Sequence, residues 1–108
     1  ILPSACDNSE PSWFGFLITM QKDCGIQRNT VTKYLEEHNI QTRLLFSGNI
    51  TKHPCFDEYR NTGAYRIAGS LEVTDSIMER SFWVGVYPKM TDESIDYMAE
   101  CLREAINQ

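Results

Sequence analysis

Apolar and polar positions along the chain follow two periods, of two and of about 3.6 residues. From Ser12 to Met20, Phe14, Phe16, Ile18 and Met20 share one face while Trp13, Gly15, Leu17 and Thr19 share the other. This aromatic, β-branched run predicts a strand. Both of its faces are largely apolar, which predicts cover on both sides, one of them from another domain. Asn29 can cap a helix through its side-chain oxygen. Val31, Tyr34, Leu35 and His38 follow at helical spacing, predicting a short amphipathic helix over residues 30–38. Asn39 then suits a left-handed C-terminal cap. Gln41 to Phe46 reads as a second strand. Thr74, followed by Asp75, predicts another helix start, with Ile77, Met78 and Phe82 as its apolar side. Trp83 to Tyr87 reads as a third strand, stopped by Pro88. Thr91 caps a last helix with Asp92 and Glu93 in its first turn, and Ile95, Met98, Leu102, Ala105 and Ile106 form its stripe.

The order β-α-β-loop-α-β-α predicts an α+β fold: a three-stranded sheet with helices packed on one face, its other face left for a partner domain. Residues 1–11 carry Pro3, Ser4, Asp7, Asn8, Ser9 and Pro11 without an apolar period, so they read as a linker, and residues 12–108 as the folded domain. Starting at Ile1, the chain reads as the C-terminal piece of something longer.

Composition narrows the partners. The 108 residues make about one domain. A net charge of −5 argues against nucleic acid or an anionic membrane as the main partner. No apolar run approaches the roughly 18 residues that a span needs. The charge is uneven, because Arg43, Lys52, Arg60 and Arg66 face only Asp57 and Glu58 within their stretch. A basic, glycine-containing loop on an acidic domain suits an anion, and the arginine fork suits phosphate or carboxylate. The alternative is that these cations pair with neighbouring acids on a solvated surface.

Other candidate chemistry is thin. Cys6, Cys24, Cys55 and Cys101 are scattered, with no Cys-x-x-Cys pair and no zinc-type spacing. They read as reduced thiols in a cytoplasmic protein, with Cys101 a core or boundary residue. His53 and Cys55 are two apart, but a nucleophile and base need a third, orienting group that spacing does not supply. Asn49-Ile50-Thr51 matches a glycosylation sequon, a pattern too short to carry weight. No glycine-rich phosphate loop and no serine elbow is present. Phe14, Phe46, Tyr59 and Tyr65 lie near chain turns and suit either a planar ligand or the core.

Thr42, Arg43, Phe46, Pro54 and Phe56 fit a run that reads Thr-Arg-x-His-Tyr-Pro-x-Pro-x-His-x-x-Pro in one family, and Pro88 followed by Met90-Thr91-Asp92-Glu93 fits its closing strand–helix junction. From Ser12 to Ile106 the chain resembles the C-terminal domain of the DegT/StrS family of pyridoxal-phosphate sugar enzymes. Leu45, Ser47 and Thr51 stand where many sugar aminotransferases of that family carry His, Pro and His, and Phe14 stands where they carry His. With the strings Pro11–Phe16, Thr42–Asn49 and Thr74–Met78, these departures resemble the branch that acts as a 3-dehydrase on CDP-4-keto-6-deoxyglucose in lipopolysaccharide biosynthesis.

The resemblance implies the small domain of a fold-type-I enzyme, a homodimer, and an active site between large and small domains. It implies pyridoxal or pyridoxamine phosphate held mainly by the large domain, iron–sulfur cysteines upstream of this chain, and a separate iron–sulfur flavin reductase. For a nucleotide-sugar substrate it implies Phe14 as an apolar wall, and Phe46, Ser47, Gly48 and Asn49 as a loop facing the sugar. Arg43 would brace that loop or meet an anionic group. It implies no catalytic residue in this chain, which is expected to be inactive alone. The alternatives are an aminotransferase of the same family, or a small-molecule-binding regulatory module.

Overall fold

The computed structural model describes residues 1–108. Strand β1 is Gly15–Thr19, helix α1 Arg28–Glu37, strand β2 Thr42–Leu44, helix α2 Glu72–Arg80, strand β3 Ser81–Gly85 and helix α3 Asp92–Ile106. Two short 3₁₀ turns, Ile50–Lys52 and Pro54–Tyr59, follow β2. The sheet is antiparallel with β3 in the centre, in the order β1-β3-β2. The α+β class and a sheet of three strands are as the sequence predicts.

Register explains where the core sits. Phe82 pairs with Ile18 and Leu44, and Val84 pairs with Phe16 and Thr42, so these side chains share one face. That face meets Val31 and Leu35 of α1 and Cys101 and Ala105 of α3, with Met20 and Ile40 completing the buried cluster. The other face carries Leu17, Trp83 and Arg43, which are half-buried or exposed. Two hydroxyl bonds tie α1 to α3: Tyr34 donates to Glu104 Oε2 at 2.6 Å, and Tyr97 donates to the His38 carbonyl at 3.1 Å. The first of these pushes the Tyr34 phenol up to about 12, because the neutral hydroxyl is the donor to a carboxylate.

Local signals decide the element ends. Asn39 takes φ +61, and the Ile40 amide reaches back to the Leu35 carbonyl at 2.9 Å, the left-handed closure expected for α1. Thr91 accepts from the Ser94 amide at 3.3 Å, as a capping residue should. Three boundaries differ from expectation. Asn29 does not cap α1, because Arg28 occupies its side-chain oxygen and Gln27 takes the cap position. Thr74 lies inside α2, whose first amide, Glu72, donates instead to the Ser70 hydroxyl at 3.2 Å. Phe82 belongs to β3, not to α2, and is fully buried at the sheet centre. The first and second strands are also shorter than expected, leaving Phe14 and Phe46 outside them, and the third runs two residues earlier than expected, with Val86 and Tyr87 beyond its end.

Candidate functional site

Beyond β2 the chain turns sharply. Phe46 has φ +45 and Gly48 has φ +61, so two of three consecutive residues sit in the left-handed region. For Gly48 this conformation is easy, but for Phe46 it costs about 1–2 kcal/mol. The turn nonetheless leaves the Phe46 ring 79 % exposed, with Ser47 exposed beside it. An apolar side chain held in solvent by a disfavoured backbone needs surroundings that over-determine it.

Those surroundings are present. Asn49 is only 3 % exposed and spends its whole amide inside the protein. Its Oδ1 accepts from the Thr51 amide at 3.1 Å and the Thr51 hydroxyl at 2.6 Å, while its Nδ2 donates to Asp75 Oδ1 at 2.7 Å. Lys52 pairs with the other Asp75 oxygen at 3.0 Å. His53 Nε2 donates to the Ser47 carbonyl at 2.7 Å, closing the loop from its far side. Met78 packs so tightly on Gly48 that a Cβ there would lie 2.4 Å from Met78 Cγ. The Asn49 bond, then the Lys52 ammonium, hold the Asp75 carboxyl below the usual aspartate range.

Between this turn and α2 lies an open cleft of about 320 Å³, lined by Leu45, Phe46, Ser47, Gly48, Thr74 and Ile77. The predicted residues Phe46, Ser47 and Gly48 therefore share one wall, with Asn49 beneath them. Thr74 and Ile77 complete the opposite wall, a role their sequence pattern did not suggest. Their spacing of three on a helix, repeated by Asp75 and Met78, was the available signal.

Phe14 and Arg43 do not line that cleft. Both belong to a second group built around Trp83. The Phe14 ring, 77 % exposed, leans on Trp83 with centroids 5.0 Å apart. Arg43 stands opposite Trp83 in the β2–β3 register, and its guanidinium donates to the Thr42 carbonyl at 3.0 Å. Trp83 lies flat over Gly15, where any Cβ would come within 2.0 Å of its ring, and its indole N–H donates to the Leu44 carbonyl at 3.2 Å. Leu44 is the last residue of β2, so this bond joins the two groups.

Half of the basic stretch is spoken for. Lys52 pairs with Asp75, and Arg60 pairs with Asp57 at 2.7 Å while donating to the Thr51 and His53 carbonyls. Surface pairing thus accounts for two of the four cations, and Arg43 makes no ion pair. Glu36 accepts from the Thr42 amide at 2.6 Å and from its hydroxyl at 2.9 Å, bonds that lower its carboxyl pKa. His53 serves as a loop brace, and Cys55 is exposed without a bond to it. The sequon Asn49 has no free amide to offer. No three His, Cys, Asp or Glu side chains converge as a metal site would need.

Residues 2–103 match the model of the DegT/DnrJ/EryC1/StrS aminotransferase family. The chain belongs to that family. It is 50 % identical over 106 residues to a dTDP-4-dehydro-2,6-dideoxy-D-glucose 3-dehydratase of Saccharopolyspora spinosa, which covers 98 % of this chain and 22 % of that protein. It is 44 % identical over 103 residues to the lipopolysaccharide biosynthesis protein RfbH of Salmonella typhimurium, covering 95 % of this chain and 23 % of that protein. Among solved structures it resembles the E. coli GDP-4-keto-6-deoxy-D-mannose-3-dehydratase with bound hydrated PLP, at TM-score 0.75 and 26 % identity, over 94 % of this chain and 25 % of that one. A variant of GDP-4-keto-6-deoxymannose-3-dehydratase with bound GDP-perosamine superposes at TM-score 0.76 with the same identity and coverage. The chain thus spans about a quarter of the length of these relatives, and its α+β architecture is that of a small domain of a PLP enzyme. No helix is long and apolar enough to cross a membrane.

Proposed function

We propose that this chain is the C-terminal small domain of a nucleotide-sugar 3-dehydratase, closing the cleft in which a 4-keto-6-deoxy sugar loses its carbon-3 hydroxyl. The observation that carries this reading is the 50 % identity, over nearly the whole chain, to a protein named as a sugar 3-dehydratase. The exposed, rigidly held Phe46–Ser47 turn supports it from the structure: an aromatic ring and a hydroxyl offered to solvent suit the apolar and polar faces of a sugar ring.

The division of labour follows from what the domain contains. Pyridoxal or pyridoxamine phosphate, when bound by the large domain, supplies the electron sink that loosens the carbon–oxygen bond. This domain contributes position and dryness. Phe46 and Ser47 face the sugar, while Gly48 and Asn49 fix their backbone. Phe14, backed by Trp83, forms an apolar wall without a titratable group. Arg43, free of ion pairs, is available to an anionic group of the substrate or to the large domain. The working enzyme is a cytoplasmic homodimer. It draws electrons from an iron–sulfur flavin reductase, and its own iron–sulfur cysteines lie outside this chain.

CDP-4-keto-6-deoxyglucose is the first substrate to test, in parallel with the dTDP- and GDP-linked 4-keto-6-deoxy sugars. The full-length protein is loaded with pyridoxamine phosphate, supplied with the reductase, and its products are read by mass and proton spectra. Loss of the hydroxyl at carbon 3 from the CDP sugar supports the reading in full. Turnover of another nucleotide sugar corrects the nucleotide. An amino sugar formed from glutamate overturns the dehydratase reading in favour of an aminotransferase.

A further inference from the structure

Helix α2 presents two pairs of residues, each three apart, to the Phe46 turn. Thr74 and Ile77 line the cleft, whereas Asp75 and Met78 hold the loop that forms its other wall. Asp75 divides its carboxylate, one oxygen to buried Asn49 and the other to Lys52, so one side chain fixes both ends of residues 49–52. Met78 acts one turn later: its sulfur meets the Asn49 amide at 3.3 Å, and its side chain fills the space beside Gly48. The helix itself is anchored from α1, because Arg28 Nη1 donates to the Met78 carbonyl at 2.6 Å near the C-terminal end of α2. Nothing within the Phe46 backbone favours its φ of +45, so its conformation depends on these outside contacts.

We propose that Asp75 is a positioning residue for substrate binding, holding the Phe46–Ser47 turn in its sugar-facing form through Asn49 and Lys52. This inference rests on the reading that the turn faces the nucleotide sugar. Asp75 touches no substrate; it acts by removing alternative conformations of the loop before the sugar arrives, which is preorganisation and is felt in affinity.

The test uses full-length protein with each of the three nucleotide sugars named above, comparing Phe46→Ala, Asp75→Ala, Asp75→Asn and the Phe46→Ala/Asp75→Ala double variant. Asp75→Ala is expected to raise KM about tenfold with kcat within about twofold, the size of coupling seen for contacting residues. In the Phe46→Ala background the same substitution should raise KM by only about threefold, because Ser47 alone is left for it to position. Asp75→Asn should fall between, since an amide oxygen still accepts from Asn49 but no longer attracts Lys52. Equal losses in both backgrounds would make Asp75 merely structural and overturn the proposal, as would an unchanged KM in Asp75→Ala. If Asp75→Ala does not fold, Asp75→Asn and Lys52→Met carry the same comparison. An unaltered KM in Phe46→Ala removes the sugar-facing reading itself. Hydrogen exchange over residues 45–53 then decides the rest: faster exchange in Asp75→Asn keeps Asp75 as the loop's clamp, and unchanged exchange overturns that too.

Discussion

Gly48→Ala should reveal two separable costs. The first is backbone strain, since an alanine at φ +61 loses about 1–2 kcal/mol relative to its preferred regions. The second is steric: the new Cβ would lie 2.4 Å from Met78 Cγ and 2.8 Å from its sulfur. Overpacking of this kind costs about 1–3 kcal/mol, so the single variant should lose about 2–5 kcal/mol. Met78→Ala alone should lose about 2 kcal/mol, the low end for a half-buried methionine. In the double variant the clash vanishes while the strain remains, so its loss should fall short of the sum by about 1–3 kcal/mol. Urea unfolding of the chain, followed by tryptophan fluorescence, gives each free energy by linear extrapolation. Additive losses, within about 0.5 kcal/mol, would refute the steric half of the argument. A Gly48→Ala loss below about 1 kcal/mol would refute the strain half as well.

Acid should weaken the fold through two carboxylates. Asp75 and Glu36 have their pKa values lowered by hydrogen bonds in the folded chain, so the stability they contribute is present above their unfolded values and lost as pH falls through the folded ones. Unfolding free energy should therefore decline as pH drops below about 4, less steeply in Asp75→Asn; an unchanged acid limb in that variant would contradict the assignment. Phe82→Ala, at the buried centre of the sheet, should cost about 3–5 kcal/mol in the same urea assay, and a loss below 1 kcal/mol would contradict the packing described.

Sequence reading succeeded where a residue's local chemistry decides the backbone. Asn39 tolerates a left-handed φ and Thr91 carries a capping hydroxyl, so both helix ends were legible. It failed where one element flows into the next without punctuation. The carbonyl of Ile77 accepts from Ser81, which caps α2 and is also the first residue of β3, so no glycine or proline separates Phe82 from the helical spacing of Ile77 and Met78. The site divides in the same way. That Phe46, Ser47 and Gly48 belong to one loop was legible, and the structure sets them along one wall of the cleft. The commitment of Asn49 to the interior was not, because it depends on Asp75, twenty-six residues away. The cleft-facing role of Thr74 and Ile77 was hidden for the same reason: only tertiary structure brings α2 beside the turn.

The flat seat of Trp83 on Gly15 reaches beyond stability to the paths by which this domain can change in evolution. The two positions form one mutational unit. Any side chain at position 15 meets the indole at 2.0 Å, so Gly15 cannot drift while Trp83 remains. Trp83 is freer to shrink first, at the loss of its bond to Leu44 and its support for Phe14. Substitutions should therefore enter lineages in that order, and descendants with a larger residue at position 15 should carry a smaller one at position 83 and a Phe14 ring that has lost its support.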